Sequence, residues 1–91
     1  MQHRLPSNLS PRAKRLLLMA DAQQPVRALV QVAPAVDVGE LERHIVELGG
    51  TVESRMPDTG LVGIEVPAAQ LEALAGLDGV VYVEAGGAYG T

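Results

Sequence analysis

Hydrophobic residues recur along this chain with two different spacings, and the change from one spacing to the other predicts its elements. Apolar residues alternate with other residues over 26–33, whereas they recur every three or four positions over 38–48. The first spacing is typical of a strand and the second of a helix. The same reasoning predicts further strands at 51–56, 61–66 and 80–84, and a second helix at 67–76. The predicted order is β-α-β-β-α-β.

Capping and turn residues mark the ends of these elements. Asp37, with Glu40 three residues later, predicts a capped helix start. Gly49 provides the left-handed residue that ends this helix. The segment 57–60, Pro-Asp-Thr-Gly, predicts a turn that joins the second and third strands into a hairpin, which gives Asp58 a role in the turn.

The predicted order is that of a ferredoxin-like α+β sandwich, with a four-stranded antiparallel sheet and both helices on one face. We expect the helices and strands to share a core that contains Val30, Ile45, Leu71 and Val83. The opposite face of the sheet stays uncovered by the domain itself, and an apolar open face on a small domain indicates a partner. The residues predicted on that open face are Leu29, Leu61, Val80 and Tyr82.

The N-terminal part differs in charge from the rest. Residues 1–27 hold five basic residues and one acid, whereas residues 28–91 hold two basic residues and ten acids. We therefore divide the chain into a basic arm at 1–24, a domain at 25–85 and a Gly-rich tail at 86–91. Within the arm, Ser10 followed by Pro11 predicts the start of a helix over 11–22. This amphipathic helix lies on the domain or on a partner, and a frayed arm is the alternative.

Composition excludes several classes of function. The chain has no cysteine, and its two histidines, His3 and His44, are too few for a metal site, so we predict no cofactor. Two tyrosines without Phe or Trp provide no stacking platform for nucleic acid. With His3 in the arm and Ser54 in a strand, no Ser-His-Asp set is credible, and we predict that the protein is not an enzyme.

The longest apolar run near the start, at 16–20, is too short for a membrane span and for the core of a signal peptide. We therefore expect no membrane partner and a cytoplasmic protein that is a monomer when free. Secretion is the alternative if residues 1–22 act as an atypical signal.

Two tetrads carry a family resemblance, Gly-Gly-Thr-Val at 49–52 and Tyr-Val-Glu-Ala at 82–85. Together with the Val-rich first strand and the alanine-rich second helix, they make residues 26–89 resemble the inhibitor I9 domain, the propeptide of subtilisin-like serine proteases. The resemblance implies a non-catalytic domain that binds and inhibits such a protease and assists its folding as an intramolecular chaperone.

The resemblance also implies a binding site. In I9 domains the open sheet face docks on two protease helices, and an acid at the end of the last strand lies near their N-termini, where Glu84 matches it. The tail then enters the active-site cleft like a substrate, with Tyr89 in an apolar pocket and Gly90 in a narrow stretch. The implied protease-binding residues are Tyr82, Glu84, Ala88, Tyr89, Gly90 and Thr91.

Two alternatives stay open. The chain starts with Met1 and ends at Thr91, which favours a free-standing inhibitor, but a propeptide cut from a longer precursor has the same pattern. In the second alternative, the domain is an adaptor for protein–protein interaction that uses the helix at 11–22 for docking and does not act on a protease.

Overall fold

The computed structural model of the chain describes residues 6–56 and 58–85. These residues form four strands, three α-helices and one 3₁₀ turn. The elements in chain order are α1 (Pro11–Met19), β1 (Pro25–Val32), α2 (Val38–Glu47), β2 (Thr51–Met56), β3 (Leu61–Pro67), the 3₁₀ turn (Ala68–Gln70), α3 (Leu71–Ala75) and β4 (Val80–Ala85).

The strands form one antiparallel sheet in the order β2-β3-β1-β4. This arrangement confirms the predicted ferredoxin-like α+β fold. Its core lies between the sheet and the helices, and it contains all four residues predicted to share it, Val30, Ile45, Leu71 and Val83. Each of these four side chains is buried completely.

The end of α2 explains the Gly-Gly pair. Gly49 has a φ of 87° and donates its N–H to Val46 at 2.9 Å, while the N–H of Gly50 donates to Ile45 at 3.0 Å. These two bonds form a Schellman motif, in which the left-handed residue is normally glycine. Gly50 has another reason to be glycine, because a side chain there would collide with Val66 on β3. The tetrad therefore ends α2 and lets β2 begin next to β3 in the sheet.

Both predicted helix caps are confirmed. Asp37 Oδ1 accepts from the N–H groups of Gly39 at 2.9 Å and Glu40 at 3.3 Å. The Ser10 hydroxyl accepts from Ala13 at 3.1 Å, and Pro11 occupies the first position of α1. Side-chain oxygens at these positions satisfy N–H groups that have no partner within the helix.

Helix α1 ends at Met19, three residues earlier than predicted. The chain turns after it through a bond from Gln24 N–H to Asp21 at 3.0 Å. Pro25 disfavours the helical conformation for Gln24. This bend also brings two carbonyls to the 3₁₀ turn. Ala22 accepts from the N–H of Ala69 at 3.0 Å, and Gln24 accepts from the N–H of Ala68 at 2.8 Å.

The second predicted helix is also shorter than expected. Pro67, predicted in its first turn, has an extended conformation and is the last residue of β3. The 3₁₀ turn follows, and α3 begins only at Leu71. The predicted core residue Leu71 is nevertheless buried, together with Leu74 and Ala75, because the 3₁₀ turn still places them on the inner side.

The segment before β1 packs on the domain, which was one of the two predicted alternatives. Leu9 and Ala13 belong to the same buried core as the sheet, and Leu16 and Leu17 pack against it. Leu9 also forms a parallel β-bridge with Val83. Helix α1 contacts β4, the 3₁₀ turn and α3, so it extends the helical layer beyond α3.

Candidate binding surface

The face of the sheet opposite the helices carries the candidate site. On β1 the buried residues Val26, Ala28 and Val30 point to the helices, so Arg27, Leu29 and Gln31 lie on the open face. Strand pairing then places the other residues of this face in rows. One row crosses the sheet as Met56, Leu61, Gln31 and Tyr82, and it is the apolar row, since three of its four side chains are apolar. The next row consists of Ser54, Gly63, Leu29 and Glu84.

Three of the four predicted open-face residues are therefore on this face. Leu29, Leu61 and Tyr82 are each partly exposed there. Met56, which the sequence analysis did not assign to the site, adds an apolar side chain beside Leu61 and is 36% exposed. Strict alternation from Val52, which packs against the core, would place Met56 on the helical side; the register shift between Val52 and Ser54 brings it to the open face instead.

The prediction for Val80 was wrong. Val80 lies directly across from Val32 and packs against the core, on the helical side of the sheet. The cause is a shift in strand register between Gln31 and Val32, which leaves Val81 without a partner in the ladder. Val81 is 50% exposed as a result. A bulge of this kind reverses the side of every residue beyond it, and strict alternation cannot reveal it.

A second bulge shapes the other end of the open face. The pairing of β2 with β3 shifts between Val52 and Ser54, at Glu53. The Glu53 carboxylate lies 3.6 Å from the Nε of Arg27 across the face. Both side chains are largely exposed, so the pair adds little stability. It does place one charge of each sign on the open face, beyond the row of Leu29.

A hollow lies between these charges and the apolar row. It has a volume of about 290 Å³, and the residues that line it include Arg27, Leu29, Glu53, Ser54 and Met56. Gly63 also lines it, and the Ser54 hydroxyl occupies the space where a side chain at Gly63 would lie. The hollow therefore opens beside Ser54, between the charged pair and the apolar side chains of Leu29 and Met56.

Glu84 lies at the exposed end of β4, next to Leu29 in the second row. Glu84 lines a cavity of about 360 Å³ together with Ser10, Pro11, Arg12 and Arg15. Two arginines of α1 therefore flank the predicted binding acid. Local sequence patterns do not show this neighbourhood, because the contact between α1 and β4 joins segments that are far apart along the chain.

The outer edge of β4 is covered by the chain itself. Ser10 N–H donates to the Val83 carbonyl and Val83 N–H donates to the Asn8 carbonyl, each at 2.8 Å. The Asn8 side-chain amide donates to Ala75 at 2.8 Å and anchors the segment to the end of α3. Among the described strands, the edge left for another chain is β2. The bulge at Glu53 and the charges of Glu53 and Arg55 disfavour strand addition at that edge.

A larger apolar cavity lies at the end of the sheet where β1 meets the β2–β3 hairpin. Its volume is about 420 Å³. Arg55, on its rim, is paired with Glu42 of α2. The residues that line it are Val32, Ala33, Pro34, Val36, Val38, Gly39, Arg55, Met56, Gly60, Leu61 and Val62. Met56 and Leu61 therefore belong both to this cavity and to the open face.

The remaining sequence predictions concern chemistry. His44 lies on the exposed side of α2, with Nδ1 at 3.4 Å from the carboxylate of Glu47. Within residues 6–56 and 58–85 no cluster of three acidic, His or Cys residues could hold a metal ion. In the same part of the chain, no helix has the length and apolar character needed to cross a membrane. Ala88, Tyr89, Gly90 and Thr91, predicted to bind the protease, lie outside the described residues.

The sequence profile of a family described as "Putative peptidase inhibitor domain" matches residues 13–86. The chain belongs to this family. The match covers most of the chain and begins inside α1, so the family unit of this peptidase inhibitor domain includes most of that helix. Among curated proteins, none matches the sequence.

Membership in this family accounts for the main sequence predictions at a general level. It confirms a domain of the peptidase inhibitor type and a peptidase as the partner, and it favours a non-catalytic role. The family description names peptidases in general and no particular class.

Proposed function

We propose that this peptidase inhibitor domain binds a subtilisin-like serine protease through the open face of its sheet and inhibits it with its C-terminal tail. The observation that carries the proposal is that an apolar residue of the open face, an exposed acid and the start of the tail follow one another along β4. Tyr82 lies in the apolar row, Glu84 follows at the exposed end, and the chain then continues from Ala85 into the tail.

The chemistry of the open face fits a pair of protease helices. The open face has an apolar centre formed by Leu29, Leu61, Met56 and Tyr82, and the hollow lies beside Leu29 and Met56. Interfaces commonly place such an apolar centre inside a polar rim. Here Arg27 and Glu53 at one side, and Glu84 at the other, provide that rim.

The carboxylate of Glu84 supplies an anionic group of the kind that helix N-termini attract. Unpaired N–H groups and the helix dipole favour such a carboxylate by about 0.3 to 2 kcal/mol. This is modest, so the proposal assigns most of the inhibition to the tail. A segment rich in Gly and Ala enters a narrow cleft with little steric conflict, and Tyr89 provides one large side chain for an apolar pocket.

The decisive experiment compares the whole chain with a chain truncated after Ala85. Residual activity of a subtilisin-like protease is measured against inhibitor concentration for both chains and for Tyr89→Gly. Truncation should remove inhibition and leave the circular dichroism spectrum unchanged, because the truncated chain keeps every core residue found within 6–56 and 58–85. Tyr89→Gly should weaken inhibition by about tenfold to a hundredfold, the value of burying one aromatic side chain, about 1.5 to 3 kcal/mol.

Equal potency of the three chains would refute the tail as the inhibitory element. The same comparison with a trypsin-like serine protease and with a cysteine protease tests the class of target. Inhibition of all three classes to the same extent would contradict a subtilisin-like target, while inhibition as such would still agree with the family.

A second candidate function is an adaptor that docks through α1. One observation favours it, since Leu18 and Met19 are 71% and 79% exposed at the end of a helix that also exposes Arg12 and Arg15. For an adaptor, truncation after Ala85 should leave partner binding unchanged, whereas Leu18→Asp together with Met19→Asp should abolish it. The inhibitor proposal predicts the opposite result for both changes.

A further inference from the structure

The Ser10 hydroxyl makes two backbone contacts that belong to different elements. It accepts from Ala13 N–H at 3.1 Å, which caps α1, and from Ala85 N–H at 3.3 Å, at the end of β4. Ser10 is 2% exposed and is the buried polar residue of the described part of the chain. Its oxygen therefore joins the start of the first helix to the last residue of the last strand.

The contact with Ala85 continues the ladder on the outer edge of β4. Val83 N–H points to this edge and donates to the Asn8 carbonyl at 2.8 Å. Ala85 is two residues further along, so its N–H points to the same edge. The backbone cannot continue the ladder there, because the chain turns into α1 at Pro11. The Ser10 side chain supplies the acceptor in its place.

Ala85 lies between two segments of the chain. Ala28 of β1 is opposite it on the inner side, and on the outer side the Ala85 N–H donates to Ser10. The residue is 1% exposed. The next residues of the chain are the tail, so these contacts determine where the tail starts and in which direction the backbone points at that place.

We infer that Ser10 is a positioning residue for the inhibitory tail, an inference that rests on the proposed function. A tail that starts from a fixed strand end loses less conformational freedom when it binds than one that starts from a frayed end. Ser10 therefore acts through Ala85 and touches no part of the protease. Loss of its hydroxyl should let the end of β4 fray. The affinity for the protease should then fall only by the part that the tail contributes.

The test is a double-mutant comparison in two chains, the whole chain and the chain truncated after Ala85. In each chain Ser10 is changed to Ala, to Gly and to Thr. Dissociation constants are measured by calorimetry with a subtilisin-like protease whose catalytic serine is replaced by alanine, so that no inhibitor is cut. Glycine is nearly as good a helix cap as serine, so Ser10→Gly removes the contact with Ala85 at little cost to α1.

A matched control removes a different helix cap. Asp37 caps α2 through Gly39 and Glu40 and lies far along the chain from β4. Asp37→Ala should therefore reduce stability as Ser10→Ala does, but it should change the dissociation constants of both chains by the same factor, less than about twofold.

The expected result is a weakening of about tenfold for Ser10→Ala and Ser10→Gly in the whole chain, and of less than about twofold in the truncated chain. Ser10→Thr, which keeps the hydroxyl, should bind the protease more tightly than Ser10→Ala in the whole chain. Amide hydrogen exchange at Ala85 should accelerate in Ser10→Ala and Ser10→Gly by a larger factor than exchange at Ile64 in the centre of the sheet, which follows only the global stability of the fold.

Equal weakening in both chains would overturn the inference, because Ser10 would then act only through the stability of the fold. Unchanged binding in the whole chain would also overturn it. A different result refutes the proposed function itself: equal affinity of the two chains with the native Ser10 would show that the tail contributes nothing. The two failures are therefore distinguishable in one set of measurements.

Discussion

Leu9 and Val83 lie side by side in a parallel β-bridge, although they are near opposite ends of the chain. Both side chains are buried, Leu9 with 2% of its surface exposed and Val83 with none. The residues before α1 thus cover the outer edge of the last strand and complete the core. An edge strand that is covered in this way cannot pair with another chain.

The first prediction concerns this covering segment. Leu9→Ala should lower the free energy of unfolding by about 2 to 5 kcal/mol, since it removes most of a buried leucine side chain. Small domains have a total stability of about 5 kcal/mol, so the variant is close to unfolded. Urea unfolding followed by circular dichroism measures the change.

Leu18→Ala is the matched control, because the same substitution removes a side chain that is 71% exposed. It should change stability by less than about 0.5 kcal/mol. Similar effects of Leu9→Ala and Leu18→Ala would contradict the packing of the N-terminal segment on the domain.

The second prediction separates the two glycines at the end of α2. Gly49→Ala should cost about 1 to 2 kcal/mol, because a side chain disfavours the positive φ of 87°. Gly50→Ala should cost more, since its new side chain collides with Val66 and Ile45 in the core. Thermal unfolding of each variant provides the comparison.

Gly76→Ala serves as the control for this pair. Its side chain would meet only ordinary contacts, at 3.6 Å from the Ala73 carbonyl oxygen, and its φ of −89° is allowed for alanine. We expect no destabilisation, and about 0.4 to 1 kcal/mol of stabilisation from the less flexible unfolded chain. A ranking in which Gly76→Ala is the most harmful of the three would disprove the explanation.

The third prediction tests the open face. Tyr82→Asp should abolish protease binding, because it places a charge in the apolar row, beside Gln31, on the face proposed to dock on the protease. The helical circular dichroism signal should remain, since Tyr82 is not part of the core. Binding is measured by calorimetry with the protease of the proposed function.

Val46→Asp provides the comparison on the other side of the molecule. Val46 lies on α2 and is 57% exposed, so a charge there is equally accessible to water. This variant should bind as the unchanged chain does. Loss of binding in Val46→Asp, or its survival in Tyr82→Asp, would move the docking surface away from the open face.

The fourth prediction concerns Glu84. Glu84→Gln should weaken protease binding by at most about tenfold, as expected for one carboxylate at a helix N-terminus. The effect should shrink as salt is added, because exposed charges are screened. Dissociation constants at two salt concentrations measure both properties. Glu47→Gln on the exposed side of α2 should have no effect at either concentration.

Local signals in the sequence were sufficient for much of the fold. The capping residues Ser10 and Asp37 and the left-handed Gly49 act on their own neighbours along the chain, and each was predicted from those neighbours alone. The alternation of apolar residues likewise identified Leu29, Leu61 and Tyr82 on the open face. These features depend on contacts within a few residues, which a sequence displays directly.

The candidate site was only partly predictable, because it depends on contacts between strands that are distant in sequence. Val80 was assigned to the wrong side because the bulge at Val81 arises from pairing with β1, a strand that is distant in sequence. The pair of Arg27 with Glu53 likewise needs the bulge in β2. Neither register shift has a signature in the local pattern of apolar residues.

The amino-acid sequence by itself determined the order of the elements, the residues that start and end them and the apolar character of the core, since backbone preferences and periodicity are local properties. Only the tertiary structure decided that the basic N-terminal segment joins the domain. Its decisive contacts connect Leu9 to Val83 and Ser10 to Ala85. These contacts form because the segment buries Leu9 in the core and supplies acceptors for the N–H groups at the edge of β4. The core surface and the strand edge exist only in the folded sheet, so no local pattern in the sequence reveals them.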